Sequence, residues 1–266
     1  MVKESFFILL LFLLFLFIYI KYIEFKGVYY PSGDIEYFPS AVGLSFEDIY
    51  ISTKDGVKIN GWFISIPEAK YTILLFHGNA GNIGNRIDKV SLLSKIGLNV
   101  FIVDYRGFGR SQGRANEEGL YLDAQAAYNY LLHTRKINPE LIIAYGESLG
   151  TAVAIDLAAK KELKALIIEG GFSRGRDMAG KIYRFLPKFI FCNSFDSMNK
   201  IRKIEAAKLF IHSPSDEVVP FALARKLYDS AASPKKFIEI SGSHGMAFLD
   251  SQEKYVSSIS EFIKNL

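Results

Sequence analysis

Gly146-Glu147-Ser148-Leu149-Gly150 constrains this chain more than any other stretch. Just ahead of it, Leu141-Ile142-Ile143-Ala144-Tyr145 is short and apolar with β-branched residues, the make-up of a buried strand. Just behind it, Leu149 to Lys160 is Ala-rich and reads as a helix. A lone serine between a buried strand and a helix sits on a sharp turn, with its side chain out of the end of the sheet. The flanking glycines are needed because a side chain there would strike the facing backbone. The helix begins directly behind the serine, so its free N–H groups face any negative charge that develops beside Ser148.

Strand and helix alternate around this turn. From Phe46 the chain alternates apolar and polar residues, turns at Asp55-Gly56 and alternates again to Ile66, a hairpin pattern. Tyr71 to Phe76 is a short apolar strand that ends in His77-Gly78-Asn79-Ala80-Gly81. Ile83, Ile87, Val90 and Leu93 then fall at helical spacing, closed by Gly97. Val100 to Val103 is the next strand, and Leu120, Ala124, Ala127 and Leu131 mark another helix. Ala165 to Ile168 and Leu209 to His212 read as strands, and Pro220 opens a helix through Ala231. Phe237 to Ile240 is the last strand, and Tyr255, Ile259, Phe262 and Ile263 mark the last helix. The order predicts an α/β fold with a mostly parallel, doubly wound sheet and an antiparallel N-terminal hairpin. With 266 residues, half of them hydrophobic, residues 46–266 can bury one core as a single domain.

Phe6 to Ile20 is an unbroken apolar run, about 22 Å long as a helix and shorter than the ~20 residues a bilayer core asks for. Ser5, Tyr22, Ile23 and Phe25 extend it, and Lys21 can snorkel. A cleaved signal peptide needs a small-x-small site after the run, and Lys21 to Lys26 offers none. Residues 1–26 are therefore expected to form a single-pass N-terminal membrane anchor and residues 27–45 a linker. Lys3 and the terminal amine balance Lys21 and Lys26, so charge does not set the orientation. The net charge is +4, without a basic helix or finger spacing, which argues against a nucleic-acid partner. A mild basic excess between Arg174 and Lys208 suits a membrane surface. The single cysteine, Cys192, can form neither an internal disulfide nor a multi-thiolate metal site, and it reads as a passive thiol. No metal, no cofactor and no obligate protein partner is expected.

In open α/β sheets the site lies at the carboxyl ends of the strands. Three strands deliver chemistry there: Ser148, then Ser213-Pro214-Ser215-Asp216-Glu217, then Ser241-Gly242-Ser243-His244-Gly245. A serine hydroxyl is a weak nucleophile until a histidine takes its proton, and a buried carboxylate then fixes the imidazole tautomer. Of the four histidines, His133 falls on a helix surface, His212 lies within a strand and His77 begins a His-Gly turn. Only His244 follows the last strand on a Gly-rich loop, so it is the expected base. Asp216 is the expected carboxylate, with Glu169 at the end of the preceding strand as its rival. Asp104 reads as a structural partner in its turn, and Glu217 as solvent-facing. The backbone N–H groups of Leu149 and Asn79 are the expected oxyanion donors. The alternative for Asn79 is a side chain that pins its own turn.

Two further motifs join the Ser148 pentapeptide: His77-Gly78-Asn79-Ala80-Gly81-Asn82 and Asp104-Tyr105-Arg106-Gly107-Phe108-Gly109-Arg110-Ser111. Phe172-Ser173, Arg176-Asp177-Met178 and Ser215 to Phe221 fit with them. Over Phe46 to Leu266 the chain resembles the α/β-hydrolase superfamily. More narrowly, it is similar to the membrane-anchored abhydrolase-domain proteins that include protein depalmitoylases, beside a serine aminopeptidase-like branch. The resemblance implies a serine esterase or thioesterase with Ser148, Asp216 and His244 as its triad. The depalmitoylases carry acylated cysteines at the amino terminus, and here an apolar run stands in their place. The expected substrate is an amphipathic acyl ester or thioester met at a lipid bilayer. The alternative is a peptidase or amidase of the same fold on small peptides, with Glu147 or Glu169 receiving the amino terminus. A non-catalytic binding protein of this fold is the least favoured reading, because no triad member is missing. Gly175 to Ala207 is expected as a short cap-like insertion. Its Phe185-Leu186-Pro187-Lys188-Phe189-Ile190-Phe191 reads as a short helix on the core or as an apolar lip over the pocket.

Overall fold

The computed structural model describes residues 2–182 and 194–266, so Cys192 and the apolar stretch from Phe185 to Phe191 lie outside the described residues. The chain opens with helix α1 (Val2–Val28). Nothing after Ile20 breaks a helix, so α1 runs on through Lys21 and Lys26 to about 40 Å, longer than the ~30 Å of a bilayer core. Its most apolar 18-residue stretch has a mean hydropathy of 2.7, and its side chains from Phe6 to Tyr19 are exposed. It is long and apolar enough to cross a membrane, a test that signal sequences also pass.

Strand β1 (Tyr30–Pro31) follows at once, then the hairpin of β2 (Glu47–Ser52) and β3 (Lys58–Ile64). After β4 (Thr72–Phe76) come the short β5 (Ala80–Gly81), helix α2 (Ile87–Lys95) and β6 (Asn99–Val103). Helix α3 (Glu117–His133) leads to β7 (Ile142–Glu147), α4 (Leu149–Ala158) and β8 (Ala165–Glu169). The insertion contributes α5 (Gly175–Ile182) and α6 (Ser197–Ile201). The chain closes with β9 (Ala207–His212), α7 (Phe221–Ser230), β10 (Lys235–Glu239), α8 (Ala247–Asp250) and α9 (Gln252–Lys264).

Eight strands form the main sheet in the order β10-β9-β8-β7-β4-β6-β3-β2. Every pairing from β10 to β6 is parallel, and β3 pairs antiparallel with both β6 and β2. The expected parallel sheet with an antiparallel leading hairpin is what forms. Strand side chains alternate between two cores, as period-2 geometry requires. Leu74, Phe76, Ala144, Leu166 and Ile168 pack on one face with α3, α4 and α7. Ile73, Leu75, Ile143, Tyr145 and Ile167 pack on the other with α2 and α9. The chain leaves β4 for β6 on one side and then crosses back to β7 on the other, so the crevice at the carboxyl ends of β4 and β7 is the topological switch point.

The stretch expected as a linker is bound to the domain. Tyr29 is buried in the core, and β1 pairs in parallel with β5. Phe38 packs against Trp62 and Phe46. A linker reading missed this because Tyr29 and Phe38 are isolated apolar residues, which carry no periodic signal. In the insertion, Ser197 and Ile201 of α6 are buried, and the Glu117 carboxylate at the start of α3 accepts the N–H groups of Ser194 and Phe195.

Candidate active site

Ser148 is the single residue between β7 and α4. It holds φ 52° and ψ −116°, a backbone region that non-glycine residues rarely adopt. The neighbouring glycines make this turn possible. A Cβ on Gly150 would come within 2.0 Å of the Phe76 carbonyl oxygen, and one on Gly146 within 2.4 Å of the Gly150 oxygen. The turn is then locked by bonds at both ends. Ser148 donates its N–H to the Glu169 carbonyl at 2.8 Å, and its own carbonyl accepts from the Thr151 N–H at 2.9 Å and the Thr151 hydroxyl at 2.6 Å.

The structure brings Ser148, His244 and Asp216 together. His244 Nε2 lies 2.9 Å from Ser148 Oγ, and His244 Nδ1 lies 2.6 Å from Asp216 Oδ2. An ionised carboxylate only accepts, so Nδ1 carries the hydrogen and Nε2 is left to accept the serine O–H. The other oxygen of Asp216 accepts the N–H groups of Val218 and Val219 at 2.9 and 2.7 Å, which fixes the carboxylate plane. Burial pushes the Asp216 carboxyl up, but the His244 and Val219 hydrogen bonds outweigh it and leave the group below its ordinary range. Burial likewise pushes the His244 imidazole down, and the bond to Asp216 with its charge outweighs this and raises it, helped by Glu147 and Glu169.

The other histidines fall where the sequence put them. His133 is exposed at the end of α3. His77 is buried, with Nδ1 2.7 Å from the Gly78 carbonyl oxygen and Nε2 3.3 Å from Asp104. His212 is buried behind Asp216, where desolvation holds its imidazole below the ordinary value. Asp104 accepts the Ile83 N–H at 2.9 Å, the structural part expected of it. Glu217 is exposed, yet it also accepts the His244 N–H at 3.0 Å.

Glu169, the rival acid, is engaged elsewhere. Its carboxylate accepts from Lys89 at 2.5 Å and from the Tyr145 hydroxyl. Lys89 also reaches Glu147 at 2.8 Å, and Arg86 lies 3.0 Å from Glu147 on the other side. Burial lowers the Lys89 ammonium, and the two carboxylates more than restore it. Sequence reasoning missed this group, although a signal was present. Glu147 and Glu169 end adjacent strands and pair in register, so two acids sit side by side at a closed sheet end. That arrangement demands a buried cation.

The loop after β4 runs beside the nucleophile. A Cβ on Gly78 would lie 3.5 Å from Ser148 Cβ and 3.1 Å from a Glu147 carboxylate oxygen. The N–H groups of Leu149 and Gly150 are the first of α4 and have no acceptor along the helix.

A family model for the alpha/beta hydrolase fold matches residues 71–189. The alpha/beta hydrolase domain-containing protein WAV2 of Arabidopsis thaliana is 33% identical over 249 residues, covering 85% of this chain and 81% of its own. The alpha/beta hydrolase domain-containing protein 17B of Homo sapiens is 33% identical over 213 residues, with 79% and 73% covered. The chain is an alpha/beta hydrolase. Among solved structures, the hydrolase overlays on the Pyrococcus furiosus esterase Pf2001 with a TM-score of 0.75, at 22% identity over 89% of this chain and 98% of the other. That likeness is one of fold. The hydrolase places the serine between β7 and α4, the histidine after β10 and the acid after β9 at the switch-point crevice. No cluster of metal-binding side chains is present among the described residues.

Proposed function

We propose that this hydrolase is a serine esterase or thioesterase that forms an acyl-enzyme on Ser148 and meets its acyl substrate at a membrane surface. The observation that carries the reading is the unbroken hydrogen-bonded series from Ser148 through His244 to Asp216, at 2.9 and 2.6 Å. His244 Nε2 takes the hydroxyl proton as Oγ attacks the acyl carbonyl. Asp216 stabilises the imidazolium that forms and keeps the ring in place. The oxygen of the tetrahedral intermediate is met by the N–H of Leu149 at the head of α4 and by that of Asn79. His244 then returns the proton to the leaving alcohol or thiol, and water repeats the sequence to release the acid. Glu147 and Glu169 are both held by Lys89, which leaves neither to receive a peptide amino terminus and favours the ester reading over a peptidase. Helix α1 supports the membrane part by its length and hydropathy.

A fluorophosphonate probe on the purified chain tests the chemistry, with Ser148→Ala as control. Labelling of the wild type alone is expected. An unlabelled wild type would remove both the ester and the amide readings.

A further inference from the structure

The proposed reaction asks the loop Gly78–Gly81 to hold one amide still, and each carbonyl from Asn79 to Gly81 accepts a hydrogen bond from outside the loop. Tyr30 donates its N–H to the Asn79 carbonyl at 2.9 Å, and Ser32 donates to the Gly81 carbonyl at 3.1 Å. Arg86 donates from Nη2 to the Ala80 carbonyl at 3.1 Å. The Asn79 N–H lies in the peptide plane of the Gly78 carbonyl, whose oxygen is 2.7 Å from His77 Nδ1, and the Tyr30 bond holds the next plane, so Asn79 is gripped on both sides of its Cα and the direction of its N–H is restrained. Two of these three clamps come from the residues that directly follow α1.

The clamping strand is itself fixed. Tyr29 is 2% exposed and packs in the core, its ring 5.6 Å from that of Phe25. Its N–H donates to the Phe25 carbonyl at 3.0 Å, so the last turn of α1 runs into the strand without a break. The guanidinium of Arg114 lies 4.1 Å from the Phe25 ring centroid. At the far end the Ser32 carbonyl accepts from the Gly109 N–H at 2.9 Å and from the Asn82 side chain at 3.3 Å. A plain tether needs only length. This one has a buried wedge and a short ladder laid on the loop beside the nucleophile.

The geometry points to Tyr29–Ser32 as a positioning element for the second oxyanion donor, so that anchor attachment and reaction rate are carried by one piece of backbone. The inference rests on the serine-hydrolase reading above. A strand that merely tied the helix to the domain would leave kcat indifferent to the Tyr30 hydrogen bond.

The test uses the full chain in detergent micelles with p-nitrophenyl butyrate as the soluble probe. Tyr30→Pro removes the N–H that Asn79 accepts, whereas Tyr30→Ala keeps it and loses only a ring that is 53% exposed. Loss of a whole oxyanion donor lowers kcat by about 10²–10³, so a loosened donor should cost about tenfold or more, with KM within about twofold. Tyr30→Ala should stay within about twofold of wild type. A short Gly/Ser insertion between Ile20 and Lys21 frees the anchor upstream of the clamp and should leave kcat unchanged. Wild-type kcat in a folded Tyr30→Pro overturns the inference. If that variant does not fold, Ser32→Pro removes the neighbouring clamp, and failure of both to fold assigns the strand to stability alone and also overturns it. A wild type that neither labels with fluorophosphonate nor turns over the ester fails the serine-hydrolase reading itself.

Discussion

Replacing Lys89 with Met should destabilise the fold by about 3 kcal/mol, and by more as pH rises. Lys89 is 1% exposed, and its ammonium lies 2.8 Å from Glu147 and 2.5 Å from Glu169. Methionine keeps the length of the side chain and fills the space beside Tyr145 and Phe248. Without the ammonium, two carboxylates face each other about 5 Å apart, a repulsion of about 3 kcal/mol at an effective dielectric of about 20. Arg86 still holds Glu147 and the Tyr145 hydroxyl still reaches Glu169, which keeps the loss at the lower end of the ~3–5 kcal/mol typical of a broken buried pair. For a chain of this size that is a thermal midpoint about 6–12 °C lower. The assay is thermal unfolding of the full chain in mild detergent, followed by circular dichroism at pH 5 and pH 8. The sign follows from linkage. A carboxyl forced beside another binds a proton more readily in the folded state than in the unfolded one, so the variant's stability falls as pH rises through the interval between the two affinities. The gap to wild type should therefore be wider at pH 8. A midpoint shift under about 2 °C, or a wider gap at pH 5, would refute the reasoning.

Two more outcomes follow from the site. The acid limb of the kcat/KM profile should lie above the ordinary imidazole value of about 6.5, because Asp216 raises His244. Asp216→Asn should move that limb to lower pH and cut kcat about 10⁴-fold, and an unmoved limb would break the pairing. Deleting residues 1–20, which spares the contact of Phe25 with Tyr29, should leave turnover of soluble short esters within about twofold and lower turnover of vesicle-borne acyl esters by about tenfold or more. Equal losses on both would argue against a reaction at the membrane.

The parts of this fold that repeat were legible in the sequence. Buried parallel strands such as Thr72–Phe76 announce themselves by unbroken apolar runs, and the amphipathic helices by 3.6-residue spacing. The meeting of Ser148, Asp216 and His244 was legible because chain order and strand ends restrict what can converge at a sheet edge. What stayed hidden rests on single residues without a period. Lys89 looks like a surface lysine on α2 until the register of Glu147 with Glu169 is known. Tyr29 and Tyr30 look like tether residues until β5 is seen beside them. Long-range pairing of short segments leaves no local trace, because the partner lies fifty residues away.

The positive φ of Ser148 also limits what descent can try at this position. A side chain branched at Cβ is a steric outlier there. Threonine, the nearest hydroxyl in chemical terms, is excluded by the backbone before its reactivity is ever tested. Cysteine, unbranched at Cβ, fits the same turn. The elbow therefore leaves open a path from oxygen to sulfur nucleophiles and closes the one from a primary to a secondary alcohol.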